Sequence, residues 1–237
     1  VLLTKTPTSD TPVSVYKTVL GTITLGTNLP ESPENVTLFR VILRDGDMIR
    51  IRSNQTAKIR QSVISEADAP AAALAILANY GGLPNDAEFN SAETSYAIQY
   101  DTSTSQVIAK YPVLTEVQYD QRLNGMSIAG AGGVIIIDLG ENGELLELRK
   151  VWRTVIPSGA VRVISASTAF EKLKQADVIN PSKGDNDLNI TRIRLGYYEK
   201  GYNQTQEYLD PIWIFRGSLP DNTNMTFYVY ARQFANF

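Results

Sequence analysis

The chain contains no histidine and no cysteine. Without cysteine there are no disulfides, thiolate nucleophiles, iron–sulfur clusters or ordinary structural zinc sites, so stability has to come from packing. Without histidine there is no Ser-His-Asp or Cys-His catalysis, and none of the common imidazole-ligated zinc and haem sites. Carboxylate, lysine, tyrosine or hard-cation chemistry is what remains. No cofactor and no metal is expected, and no residue is singled out as catalytic. A long hydrophobic run is also missing: the apolar stretch around Val134 to Ile137 has the length of a strand, and no run approaches the roughly 20 residues of a membrane span. Charge of one sign is missing as well. The 22 basic and 25 acidic residues are interspersed and sum to −3, which disfavours nucleic acid and anionic membrane surfaces as partners.

What is present is 237 residues, 43% of them apolar, enough for one large domain or two modules of roughly 100 residues. The chain starts at Val1, and "TKTPTSDTPVS" is a polar, Thr- and Pro-rich lead. Such a lead reads as a linker over residues 1–33, following a signal peptide or membrane anchor removed upstream. Any tie to a membrane would run through a segment absent from this chain. Five Asn-x-Ser/Thr sequons, at Asn35, Asn54, Asn189, Asn203 and Asn224, are candidate glycosylation sites and point to an extracytoplasmic location.

Periodicity places the elements. "LFRVILRDGDMIRIRS" has apolar residues on both sides of Asp45-Gly46, a tight-turn dipeptide, and reads as a β-hairpin. Ala69, Ala72, Ala73, Ile76, Leu77 and Tyr80 recur at helical spacing, with Pro70 in the first turn and Gly81-Gly82 as a stop, predicting a helix over about 69 to 80. Strands follow at "TSYAIQYD", "SQVIAKYPV" and "LTEVQYDQRLNG". A second, shorter amphipathic helix is expected over about 166 to 176 behind a Ser165 cap, with Ala166, Ala169, Phe170 and Leu173 on one face. After a polar loop come strands at "NITRIRLGYY", "YLDPIWIFRGS" and "MTFYVYARQF".

The glycines of "RLNGMSIAGAGGVIIIDLGENGELLELRKVW" invite a phosphate-loop reading, and their order excludes it. A phosphate loop leaves a strand and opens a helix; here Gly130, Gly132 and Gly133 precede the β-branched run "VIIIDL", and Asn142-Gly143 after it is a hairpin signal. The glycines therefore bend and turn strands. Asp138 and Asn142 resemble part of a calcium loop, but Gly140 stands where an oxygen ligand is needed.

The segment "VQYDQRLNGMSIAGAGGVIIIDLGENGELLEL", through Tyr119, Asn124, Gly125, Gly130, Asn142 and Gly143, resembles PepSY and thermolysin-type propeptide (FTP) domains. The second half, with its Asp210-Pro211-Ile212-Trp213 element, is similar to the last module of YycH/YycI-type extracytoplasmic regulators. The resemblance covers about residues 66 to 235. It implies an α+β fold of two modules, each an amphipathic helix packed on an antiparallel sheet, over 34–160 and 161–237 and divided near 157 to 165. It also implies a tethered extracytoplasmic domain that inhibits or modulates another protein.

Two clusters remain to be weighed. Alternation puts Glu147, Arg149 and Arg153 opposite Leu146, Leu148 and Trp152, which reads as a solvated face. The C-terminal third is dense in aromatics, and Tyr197, Tyr198, Tyr208 and Trp213 are the candidate partner-binding residues, with Trp213 expected to be a core anchor. The expected function is that of a non-catalytic, extracytoplasmic binding or modulatory domain of a membrane-anchored or secreted surface protein, contacting a protein or peptide through sheet edges or this aromatic meander. A structural cell-envelope module is one alternative. A carboxylate-based enzyme acting on glycans is another, and it needs two acids facing one cleft at about 5 to 10 Å.

Overall fold

A computed structural model of the chain describes residues 2–3, 12–18, 36–43, 46–53, 59–179, 188–201, 204 and 206–232. These form thirteen strands and two α-helices, of ten and nine residues. In chain order they are β1 (Leu2–Leu3), β2 (Pro12–Thr18), β3 (Val36–Leu43), β4 (Gly46–Ser53), α1 (Ala69–Ala78), β5 (Ala87–Tyr100), β6 (Val107–Leu123), β7 (Met126–Gly130), β8 (Val134–Leu139), β9 (Leu145–Trp152), β10 (Val155–Arg162), α2 (Ala166–Lys174), β11 (Asn189–Glu199), β12 (Tyr208–Ser218) and β13 (Asn224–Tyr230). No helix among the described residues is long and apolar enough to cross a membrane.

The residues fall into two compact units, each discontinuous in sequence. The first, called here the α1 unit, takes Leu20–Arg122 and Gly132–Arg153; the second, the α2 unit, takes Val1–Val19, Leu123–Ala131 and Thr154–Phe237.

In the α1 unit the strand order is β5-β6-β8-β9-β4-β3, and every neighbouring pair is antiparallel. Pleating decides the faces. Thr115, Val117, Tyr119 and Gln121 of β6 are buried, as are Ile135, Ile137 and Leu139 of β8, while the residues between them are only half-buried. Ala69, Ala73 and Leu77, one turn apart along α1, lie fully buried in the same core as Val117, Ile135 and Ile137. Alanine at two of the three contact positions allows the helix backbone to approach the sheet. Asp86 closes the end of this core: its carboxylate accepts from Trp152 Nε1–H at 3.1 Å and Gln121 Nε2–H at 2.6 Å. Arg153, expected on a solvated face, is buried, and its carbonyl accepts from Gln121 Nε2–H at 2.9 Å.

In the α2 unit β12 is the central strand. It pairs antiparallel with β11 on one side; on the other it pairs with β2 at Tyr208–Leu209 and then with β13 from Ile212 onward. Pro211 sits inside β12, at the junction where β2 ends and β13 begins. Its carbonyl still accepts from Ala231 N–H at 2.9 Å, and the Ala231 carbonyl, which the missing amide would have faced, accepts from Ile164 N–H at 2.8 Å instead. β11 pairs in parallel with β1 and with β7, and β10 pairs antiparallel with β2. Gly130 ends β7 at φ +110°, where a Cβ would run into the carbonyl of Glu199; only glycine fits this bend. Asn124 and Gly125, both at positive φ, form the tight turn leading into β7.

The expected α+β fold of two modules, each an amphipathic helix on an antiparallel sheet, is therefore corrected. The protein is mostly β, with two short helices and a mixed sheet. Local periodicity showed the helices and most strands, but parallel partners are brought together by chain segments far apart in sequence, which leave no local signature. Two of the three expected middle strands are also one continuous element, the 17-residue β6. Strands β1 and β2 lie in the segment read as a linker.

The core of the α2 unit gathers on Trp213. Its side chain is fully buried and its Nε1–H donates to the Ile164 carbonyl at 3.0 Å. Beside it Phe215 meets Phe170 of α2, ring centroids 6.3 Å apart. Ser165 caps α2 as expected, its hydroxyl accepting from Thr168 N–H at 3.1 Å. Trp213→Ala should lower stability by about 3–5 kcal/mol through lost transfer energy and an unfilled cavity, read as a fall in the urea midpoint. An unchanged midpoint would contradict the core role.

Candidate functional site

The four aromatics expected to bind a partner are separated by the pleat. Tyr197 and Trp213 are fully buried in the core, Tyr198 is half-buried, and Tyr208 is exposed. Tyr198 instead meets Tyr228 on the other face of the sheet, ring centroids 5.7 Å apart. Asp210, opposite Tyr198 in the β11–β12 ladder, has its carboxyl pushed up by burial against the opposing pull of Arg232 and Lys200. No single groove collects the four. Of the candidate glycosylation sites, Asn35, Asn54 and Asn203 lie outside the described residues. Asn189 and Asn224 are exposed at the first positions of β11 and β13, both opposite Ser218.

A different surface stands out in the α1 unit. β6 pairs with β8 only over Thr115–Asp120, but with β5 over almost its whole length. Among the described strands the outer part of the β5–β6 hairpin is therefore a two-stranded ribbon. It carries Tyr96, Ile98, Tyr100, Val107, Ile108 and Tyr111, all between 39% and 60% exposed. Tyr96, Ile98 and Tyr100 alternate onto one face of the hairpin, while Tyr111, directly opposite Ala97 and donating to Gln99 Oε1 at 3.2 Å, lies on the other; six exposed large apolar side chains in one hairpin are a concentration that scattered ones are not.

The two edges of this ribbon differ. On the β6 side Arg60 reaches across: its N–H donates to the Pro112 carbonyl at 3.1 Å and its Nη1–H to the Val113 carbonyl at 2.8 Å. Lys110 follows on the same strand, the kind of charge that guards an edge. On the β5 side no other described strand pairs. Glu66 covers one point, accepting from Thr94 N–H at 2.8 Å. Backbone polarity alternates along a strand, so with Thr94 facing outward the main-chain groups of Tyr96, Ile98 and Tyr100 face outward too. Between Glu93 and Asp101 this edge carries no charge.

The ribbon tip is pre-ordered. Asp101 Oδ1 accepts from Ser103 N–H at 2.8 Å, Ser103 Oγ–H at 2.6 Å and Thr104 N–H at 3.2 Å. These bonds, the Ser103 hydroxyl first, hold the Asp101 carboxyl below its usual range. Asp101 N–H in turn donates to the Gln106 carbonyl at 2.8 Å. Sequence reasoning identified "TSYAIQYD" as a strand but not its exposure. Alternation says which residues share a face, not whether anything covers that face.

A second constellation crosses the sheet of the α1 unit on the face away from α1. Glu93, Glu116, Asp138 and Glu147 occupy successive directly opposed positions on β5, β6, β8 and β9, and Arg52 of β4 follows Glu147. Arg52 Nε lies 3.5 Å from Glu147 Oε2. Asp138, with acids on both sides, has an Oδ1 that is buried without a hydrogen-bond partner. Its carboxyl is pushed up to about 7, by burial first and then by Glu116 and Glu147, against the opposing effect of Arg149 and Arg52. Like charges directly opposite on neighbouring strands repel, and retaining a proton on the central acid relieves this. Among the described residues no group of His, Cys, Asp and Glu side chains is arranged to hold a metal ion.

The consequence for stability has a definite sign. Folded Asp138 keeps its proton up to about pH 7, whereas an unfolded Asp loses it near ~3.9. The stabilisation due to this proton is complete below the unfolded value and is lost as pH rises through the folded one. Asp138→Asn should therefore raise the melting temperature more at pH 8 than at pH 5, as followed by circular dichroism. An equal change at both pH values would refute the assignment.

No family model matches the chain, and no curated protein does. A crystal structure of an uncharacterized protein from Eubacterium rectale ATCC 33656 aligns over 94% of this chain and 83% of its own, at 10% identity and a TM-score of 0.46.

Proposed function

We propose that this chain is a non-catalytic extracytoplasmic binding or modulatory domain of a membrane-anchored or secreted surface protein, and that it engages a protein partner through the outer edge of β5. The observation that carries this reading is the edge itself. Tyr96, Ile98 and Tyr100 turn their main-chain groups outward on a strand with no charge between Glu93 and Asp101, flanked by exposed apolar side chains. Main-chain hydrogen bonds supply affinity in strand addition, and the alternate side chains supply selectivity.

Other features support the reading more weakly. The missing histidine and cysteine remove the commonest nucleophile–base pairs. Glu147 of the acid row is engaged by Arg52, and the raised Asp138 carboxyl is accounted for by burial and its acidic neighbours. The exposed sequons at Asn189 and Asn224 and the resemblance to PepSY-type and YycH/YycI-type modules favour the extracytoplasmic side.

Replacing Ile108 with a photo-crosslinking amino acid in cells that make the protein tests this. The expected outcome is a discrete protein adduct from position 108 and none from Lys174 on α2, with the adduct digested by a protease that does not enter cells. Absence of any adduct at 108, or protection until the cells are lysed, would overturn the reading.

A further inference from the structure

We propose that the partner at this edge is a second copy of the chain, its β5 running antiparallel to the first with Ile98 on the twofold axis. The inference rests on the reading of the β5 edge as a contact surface and adds to it an occupant and a register.

The free stretch of edge is short and bounded at both ends. Glu66 occupies the Thr94 amide at one end, and the turn bonded through Asp101 and Gln106 closes the other. Between them the outward-facing residues are Tyr96, Ile98 and Tyr100. In an antiparallel pair only residues whose groups both face the partner exchange hydrogen bonds, so an outward residue must stand opposite an outward residue. With Ile98 opposite Ile98 of the second copy, Tyr96 falls opposite Tyr100 and Tyr100 opposite Tyr96. All three outward residues are then used, and each pair exchanges both its N–H···O bonds. The same register places two aromatic pairs across the junction, the pairing that most favours neighbouring strands.

Charge separates this register from its neighbours. It sets Glu93 opposite Ser103 and Asp101 opposite Ser95, so no like charges meet. Sliding by two residues toward the base of the ribbon sets Glu93 directly opposite Asp101 and calls on the Thr94 amide already held by Glu66. Sliding by two in the other direction moves Tyr96 opposite Thr102, inside the turn, and loses one of the paired positions. The β6 edge is a poorer match because Lys110 and Arg60 line it. An isologous contact of this kind closes after two copies, since each edge uses up the other. The pairing also gives neighbours to a two-stranded ribbon that has little independent stability.

Because the chain has no cysteine, a single introduced one reports the register directly. Opposed residues that exchange hydrogen bonds have Cα atoms about 5.5 Å apart, within disulfide range. Mild oxidation should convert Ile98→Cys into a covalent dimer, while Ser103→Cys at the exposed tip, which reports chance collisions, stays monomeric. In sedimentation velocity the unmodified chain should run as a dimer at ~0.1 mM. Ile98→Pro removes only an outward amide and should run as a monomer with unchanged circular dichroism. Ile98→Lys leaves the backbone intact, sets two ammonium groups on the axis and should also run as a monomer.

A monomeric unmodified chain at that concentration, or cross-linking at Ile98→Cys no faster than at Ser103→Cys, would overturn the self-pairing. If such a monomer still gives an adduct with a different protein from position 108, the edge is a contact surface with another occupant. If neither self-pairing nor any adduct is found, both readings fall.

Discussion

β6 is 17 residues long and β8, its partner within the sheet, is six. Every backbone amide and carbonyl needs a partner or water, so a long strand beside a short one must either stop or carry its other neighbour out with it. Here β5 goes with it, and their ladder continues to the turn at Asp101–Gln106. This mismatch creates the ribbon and leaves β5 with one edge that no other described strand pairs. It also explains the exposed Tyr96, Ile98 and Tyr100, which alternate as a buried strand face would but lie beyond the reach of α1.

The same ladder geometry sets the acid row. Once β6, β8 and β9 are in register for their apolar residues to meet α1, the opposite face is fixed one residue out of step, and Glu116, Asp138 and Glu147 have to line up. Their mutual repulsion is relieved from both sides, by Arg52 on Glu147 and by a retained proton on Asp138. The proton-holding residue and the apolar core thus depend on one register, and a slip of one residue would expose Ile135 and Ile137 while burying charge.

The C-terminal aromatics show what composition leaves open. Their density fits a core or a groove alike, and the pleat sends Tyr197, Trp213, Phe215 and Phe227 into the core and leaves Tyr198, Tyr228 and Tyr230 half-buried on the other face. Trp213 was legible as an anchor because a large ring with one polar atom packs best where that atom finds a carbonyl, here that of Ile164. Six of the exposed large apolar residues lie instead in "TSYAIQYD" and "SQVIAKYPV".

By itself the sequence determined what depends on neighbours along the chain: both helices, the Ser165 cap, the turns at Asn124-Gly125 and Asn142-Gly143, and most strands. It also excluded imidazole and thiolate chemistry through the absence of those residues. Tertiary structure alone decided the parallel pairing of β1 and β7 with β11, the merging of two expected strands into β6, the position of Pro211 between two successive partners, and which apolar faces go uncovered. Those outcomes turn on contacts between segments far apart in sequence, whose free energy depends on register and strand length across the whole sheet. No local window of residues contains that information.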